Sequence, residues 1–257
     1  MREPTGNSNH GGRGVKVFVD FDGTITRRDV GDAVFEEFGG KKCIEILEDF
    51  RNGTISAVEC YERESAACGR VDQVLLDEFL DGQAIDSTFV DFVQFCRVQG
   101  FGCCILSDGL DYYINRILRC YGLGTVEFFA NTLTLKPVDG PSTVELQLSY
   151  PYADEVCDRC ACCKRNHMLT RSGDDEIIVY VGEGYSDRCP IRFADIVFAK
   201  DDLLKYCQLE KISCHEYQCF SDVRDRLLRM LSENNGRNGL RPRRQTVLAR
   251  RRVFMGE

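Results

Sequence analysis

Val15-Lys-Val-Phe-Val-Asp-Phe-Asp-Gly-Thr24 is the stretch on which the reading of this chain turns. Its first five residues form a short β-prone run that reads as a buried strand, and the run ends on Asp20. In open α/β sheets ligands bind at the carboxyl ends of the strands, so Asp20 is delivered to a ligand position. A carboxylate there can attack phosphorus and split hydrolysis into two steps through an acyl phosphate. Asp22 is placed to protonate the leaving oxygen and later to deprotonate the attacking water. Gly23 lets the backbone turn back, so that the Phe21–Thr24 segment offers amide N–H groups to a phosphate. Alone, such a turn reads equally well as two solvated aspartates after a strand. The partners downstream decide.

Two further strand-like runs end on comparable residues. Phe101-Gly-Cys-Cys-Ile-Leu106 leads into Ser107-Asp108-Gly109, where a hydroxyl and a backbone N–H suit phosphate oxygens. Glu176-Ile-Ile-Val-Tyr-Val181 leads into Gly182-Glu-Gly-Tyr-Ser-Asp187. Glu183 together with Asp20 can hold Mg²⁺, which keeps several waters and bridges to substrate, and Asp187 serves as a ligand or as an outer partner. A cation is needed against the carboxylates and phosphate. Between the second and third runs the lysines are Lys136 and Lys164. Lys136 falls in a presumed hairpin turn, which leaves Lys164.

The segments between these strands set the architecture. From Asp29 to about Gly82 the periodicity is helical, with Val30, Ala33, Val34 and Phe38 on one face and Ile44, Leu47 and Phe50 on another. Ser56 with Glu59 forms a capping box for a third helix, and Val71, Val74, Leu75 and Phe79 mark a fourth. Ser87 is expected to cap a helix carrying Phe89, Phe92, Val93 and Cys96. Phe128–Leu135 and Val144–Tyr150 read as a hairpin around Pro137-Val-Asp-Gly-Pro141. Ala194–Phe198 reads as a strand and Val223–Leu231 as a last helix. Strands alternating with helices predict an α/β fold, a parallel sheet covered on both faces. The expected organisation is a flexible N-terminus (1–14), a core (15–28 and 86–233) carrying a hairpin and cysteine-rich insertion at about 126–163, a helical cap (29–85) and an Arg-rich tail (234–257).

Asp-Phe-Asp-Gly-Thr, Ser107-Asp-Gly, Lys164 and Gly-Glu-Gly-Tyr-Ser-Asp, in that order, resemble the four motifs of the haloacid dehalogenase (HAD) phosphatases. The resemblance runs from about Val15 to Phe220. It implies a Rossmann-like three-layer core with a type I helical cap, as in the phosphoserine-phosphatase branch. Within that branch the chain is similar to the 2-hydroxy-3-keto-5-methylthiopentenyl-1-phosphate phosphatases of methionine salvage and to the phosphocholine/phosphoethanolamine phosphatases. The resemblance implies Asp20 as nucleophile and Asp22 as acid/base, with the Asp22 carbonyl on Mg²⁺. It implies Ser107 on the phosphate, Lys164 steadying it, Glu183 and Asp187 completing the metal site, and Asp29 touching substrate. One departure stands out: the family's fourth motif has Gly-Asp where this chain has Gly182-Glu183. That departure supports a second reading, a catalytically weakened binding or regulatory protein on the same fold; a phosphomutase is a third.

Composition sets the outer bounds. At 257 residues with 43% hydrophobic and 29% charged residues, the chain is an ordinary globular protein. Met1 to Lys16 has no apolar signal-like core and no run approaches a membrane span, so a cytoplasmic address is expected. Fifteen cysteines are many. Cys157, Cys160, Cys162 and Cys163 have the density of a tetrahedral zinc site, for which reduced thiols are the competing reading. Residues 235–257 hold seven arginines against Glu257, so the body is more acidic than the net −8 indicates. An acidic body argues against nucleic-acid binding by the fold, leaving the tail either a disordered extension or a short docking helix. The expected partner is a small phosphorylated metabolite, and the chain a monomer or homodimer.

Overall fold

The computed structural model describes residues 14–255 except 141, 156, 158, 234, 235, 237 and 238. The expected N-terminal extension lies outside the described residues, apart from Gly14.

β1 (Val15–Val19) runs between two parallel neighbours, β3 (Gly102–Leu110) and β6 (Ile177–Gly182). A strand paired on both edges and covered on both faces needs apolar residues throughout, and every residue of β6 is buried. β7 (Ile196–Ala199) and the two-residue β8 (His215–Glu216) extend one side in parallel. On the other side β4 (Glu127–Pro137) joins β3 in parallel and returns antiparallel as β5 (Thr143–Ser149). β2 (Arg70–Asp72) closes that edge, giving the order β2-β5-β4-β3-β1-β6-β7-β8.

Strand alternation sends side chains to two layers. Val15, Val17 and Val19 pack with α5 (Phe89–Gln99), α6 (Asp111–Cys120) and α9 (Phe220–Glu233) through Phe92, Ile114 and Val223. Phe18, Ile178 and Tyr180 pack on the other face with α7 (Lys164–Thr170) and α8 (Asp201–Leu209) through Met168, Leu203 and Cys207. This is the three-layer α/β core that the alternation predicts.

Residues between the first two strand motifs form α1 (Val30–Gly39), α2 (Lys41–Arg51), α3 (Ala57–Cys68), β2 and α4 (Gln73–Asp81). The caps are local: Asp29 accepts from the Asp32 amide at 2.8 Å, Ser56 from Glu59 at 3.2 Å and Asp72 from Val74 at 2.8 Å. The chain leaves and re-enters the core side by side, where Thr26 and Ile85 form an antiparallel bridge.

Several expectations change. Cys43 and Ile46 are the buried residues of α2, whereas Ile44 is exposed and Leu47 and Phe50 line a cavity. An apolar stripe shows that a helix has a covered face; it does not say whether core or cavity covers it. The N-cap of α5 is Thr88, not Ser87, and Asp86 accepts from its amide at 2.8 Å. The run read as one helix from Val71 starts as a strand, because Val71 pairs with Val144. Of the two readings of the tail, the structure has the docking helix, α10 (Arg244–Met255). There Arg250 pairs with buried Asp195 at 2.7 Å, and Thr246 donates to the same carboxylate. No helix among the described residues is long and apolar enough to cross a membrane.

Candidate active site

β1, β3 and β6 end side by side, and their motifs meet at one end of the sheet. Asp20 is nearly sealed, and its two oxygens are held separately: Lys164 Nζ lies 2.6 Å from Oδ1 and Thr24 Oγ1 lies 3.0 Å from Oδ2. Lys164, at the first position of α7, is itself only 1% exposed. Its ammonium also donates to Ser186 Oγ at 2.8 Å and to Asp187 Oδ1 at 2.7 Å. Three acceptors match the three protons of an ammonium, so this buried charge is fully hydrogen-bonded.

Asp187 holds Lys164 and closes the β6 turn. Its Oδ1 also accepts from Tyr180, and its Oδ2 accepts from the amides of Glu183 (2.9 Å) and Gly184 (3.0 Å). With four donors on two oxygens the carboxylate is saturated. That arrangement fits the outer-partner alternative for Asp187. Glu183 lies across the first turn instead: a Cβ on Gly23, whose φ is +68°, would stand 2.8 Å from Glu183 Oε1. Gly23 is thus required both by its left-handed backbone and by the carboxylate above it.

The Phe21–Thr24 turn, expected to offer amides to a phosphate, uses two of them within itself. The Gly23 amide donates to Thr26 Oγ1 and the Thr24 amide to the Phe21 carbonyl, so both are spent closing the turn. The Phe21 ring is in the core beside Tyr113. Ser107 Oγ accepts from the Gly109 amide at 2.8 Å and donates to Asp22 Oδ2 at 3.0 Å. Asp108 accepts from the amides of Ala161 (2.8 Å) and Cys162 (2.6 Å), tethering the loop that delivers Lys164. Asp29 caps α1 and faces the cavity.

That cavity, about 550 Å³, lies between core and cap. Asp20, Asp22, Gly109 and Glu183 form its floor, and Leu47, Phe50, Tyr61 and Glu64 come from the cap. Burial raises the Asp20 carboxyl to about 7, Asp187 adding to the effect and Lys164 opposing it. Burial, then the charges of Asp29 and Asp20, pushes Asp22 well above its usual range. Burial and the Asp20 charge raise Glu183 to about 8. Asp108 is raised to about 6, again first by burial. Burial works against the Lys164 ammonium, yet Asp187 and Asp20 outweigh it and hold its pKa well above normal.

Such a donor set suits a divalent cation. Carboxyls whose protons are held first by burial and then by neighbouring negative charge release them to a positive charge. Among the described residues no three His, Cys, Asp or Glu side chains are gathered into a metal cage. Two carboxylates, a backbone carbonyl and waters are the hard-oxygen set that Mg²⁺ takes. The same finding corrects the zinc expectation. The Cys160 thiol meets those of Cys157, sulfurs 3.7 Å apart, and of Cys163, while Cys162 is buried with its amide on Asp108, and all fifteen cysteines are free thiols.

Sequence reasoning missed Tyr113, Tyr180 and Ser186. Tyr180 had a signal: a phenol in the aliphatic β6 run must find a partner when buried. Tyr113 donates to Asp22 Oδ2 at 2.8 Å.

Compared with known proteins, residues 15–223 match the family described as Putative Phosphatase. The chain belongs to that family. It is a phosphoric monoester hydrolase of HAD type, in keeping with the four motifs and their convergence. Proteins similar to this chain include Pdp3-interacting factor 1 of Schizosaccharomyces pombe, 29% identical, covering 80% of this chain and 92% of that protein. A 2-hydroxy-3-keto-5-methylthiopentenyl-1-phosphate phosphatase of Geobacillus thermodenitrificans is 28% identical, covering 83% and 96%. Among solved structures, a phospho-aspartyl intermediate analogue of phosphoserine phosphatase superposes with a TM-score of 0.64 at 17% identity, covering 83% of this chain and 99% of that one. At that identity the likeness concerns the fold alone.

Proposed function

We propose that the chain hydrolyses a small phosphomonoester through an aspartyl phosphate on Asp20. One observation carries the reading: Lys164, buried, bridges Asp20 and Asp187 at 2.6 and 2.7 Å. A fixed ammonium beside the nucleophile neutralises charge where a phosphoryl group would arrive. In the first step an Asp20 oxygen bonds to phosphorus, the ester P–O bond breaks, and Asp22 gives its proton to the departing oxygen. In the second, Asp22 takes a proton from water, the water oxygen bonds to phosphorus, and the acyl phosphate opens to Asp20 and inorganic phosphate. Asp20, the Asp22 carbonyl and Glu183 would hold Mg²⁺, which supplies charge neutralisation for the phosphoryl oxygens. Ser107 and Lys164 would bind the phosphate and Asp29 the substrate body. The test is hydrolysis of p-nitrophenyl phosphate with and without Mg²⁺. Activity lost in Asp20→Asn supports the reading, and Mg²⁺-independent activity retained in that variant overturns it.

The cavity walls bear on the substrate. Leu47, Phe50 and Tyr61 would suit an apolar tail such as that of the methylthiopentenyl phosphate named for the relatives. Asp29, Asp32 and Glu64 would suit an ammonium such as that of phosphoethanolamine. A panel containing both decides between them. Glu183 favours a second reading, a protein of weakened catalysis that uses the fold to bind. Its carboxylate carries one more methylene than the family's Asp and lies across Gly23. Glu183→Asp raising both Mg²⁺ affinity and turnover at least tenfold (about 1.4 kcal/mol) would favour that reading.

A further inference from the structure

Asp22 has three donors around its carboxylate. Oδ1 accepts from the Val30 amide at 3.1 Å. Oδ2 accepts from Ser107 Oγ at 3.0 Å and from the Tyr113 phenol at 2.8 Å. Two of these belong to elements already committed to the site: the start of α1, and the Ser107 turn. The third comes from α6, one helical turn beyond Gly109, and nothing in the motifs accounts for it. Tyr113 is 1% exposed, with its ring beside Phe21 in the core and its hydroxyl behind the Asp22 carboxylate, which itself lines the cavity floor. The fit is close. A Cβ on Gly109 would collide with both Tyr113 Oη and Asp22 Oδ2, so Gly109 leaves the space that this hydrogen bond fills.

We infer that Tyr113 is the positioning residue for proton transfer by Asp22, fixing the carboxyl so that its proton is presented to the leaving oxygen. The inference rests on the reading of Asp22 as acid/base given above. The phenol and Ser107 share Oδ2 from the protein side, which fixes the torsion of the Asp22 side chain. A carboxyl able to rotate would spend part of its time with the proton turned away from the ester oxygen. Fixing it removes that loss, and an error of about 1 Å in such placement can cost on the order of 100-fold. Tyr113 itself gives up no proton in either step: the proton passes from Asp22 to the leaving oxygen and is restored from water, while the phenol keeps its own. Being neutral and rigid, a phenol does this without adding another charge to a crowded site.

The leaving group provides a readout that a merely structural role would not move. An alkoxide must be protonated as it departs, whereas p-nitrophenolate leaves as a stable anion. The quantity to measure is kcat/KM, which reports the steps up to loss of the leaving group, for p-nitrophenyl phosphate and for an alkyl phosphate the enzyme accepts. Tyr113→Phe should lower the alkyl value at least tenfold more than the aryl value, within the roughly 10²–10⁴-fold range of general acid catalysis. Asp22→Asn should show the same discrimination more strongly, and adding Tyr113→Phe to it should cost little more, since the phenol then has no proton transfer to direct. If Asp22→Asn slows both esters equally, the acid/base reading fails. If Asp22→Asn discriminates but Tyr113→Phe slows both equally, or if the two losses simply add, the role given to Tyr113 is overturned. A Tyr113→Phe protein that melts well below the native protein is compared through the ester ratio alone, because loss of folded enzyme lowers both values alike.

Discussion

Glu64 shows what a single buried carboxyl does to this protein. It sits on α3, 3% exposed, and lines the cavity, where burial first and the Asp32 charge second raise it to about 8. In the unfolded chain it titrates near its ordinary 4.5. Between those values the folded protein holds a proton that the unfolded chain has released, so stability falls with rising pH. Its contribution is complete below about 4.5 and gone above about 8. The metal-stripped protein should therefore melt at a lower temperature at pH 8.5 than at pH 6, and Glu64→Gln, always neutral, should fall less over that interval. Identical slopes for both proteins would refute the assignment. His167 works in the opposite direction at lower pH. Burial, helped by Arg171, depresses it to about 4, so the protein loses stability as pH drops from about 6.5 toward 4.

At the scale of elements, α10 is where physical chemistry and sequence pattern part company. The sequence leaves an extended tail and a docking helix both open, and the helix docks on the polar residues Thr246 and Arg250, which are buried, rather than on an apolar stripe. What fixes it is one carboxylate: Asp195 Oδ1 accepts from the Arg243 amide, Thr246 and Arg250, and Oδ2 from Ile178 and Arg250. Truncating Arg250 to Ala leaves Asp195 buried without its counter-charge, a change that typically costs about 3–5 kcal/mol. The α10 arginines should then become open to trypsin while the core resists, which a digestion time course followed by mass spectrometry would read; equal resistance of native and variant α10 counts against it. The same contrast explains what was legible. β1, β3 and β6 could be read because a strand buried on both faces needs an apolar run that stops abruptly at its functional end. β2 and β8 span three and two residues and exist because a neighbour supplies the ladder, so no local pattern marks them. Likewise Asp20, Lys164 and Glu183 were legible as motifs. The saturation of Asp187 and the placement of Tyr113 depend on packing between elements far apart in the chain.

For the whole molecule the question is how the cap stays on the core, since it must cover the cavity and still admit substrate. The two-strand crossing at Thr26 and Ile85 would alone make a hinge. A second attachment works against it. β2 pairs with β5 through Val71 and Val144, both 1% exposed, and Ser65 of α3 donates to the Leu146 carbonyl. α4 is tied to α6 by Tyr112 on Asp77 and by Arg116 on Asp77 and Asp81. The cap's far end is thus part of the core's sheet, while α2 meets the cavity through Leu47 and Phe50. Opening for substrate then falls to the α1–α2 end, and the cap as a whole should unfold with the core. Native-state hydrogen exchange should find amides of α3 and α4 opening with the same free energy as those of β1 and β6. Val71→Asp puts an unpaired carboxylate into that joint and should lower protection in α3 and α4 while leaving β1 and β6 above them. If α3 and α4 already exchange well ahead of the core in the native protein, the cap is a separate unit, and the β2–β5 ladder does not hold it.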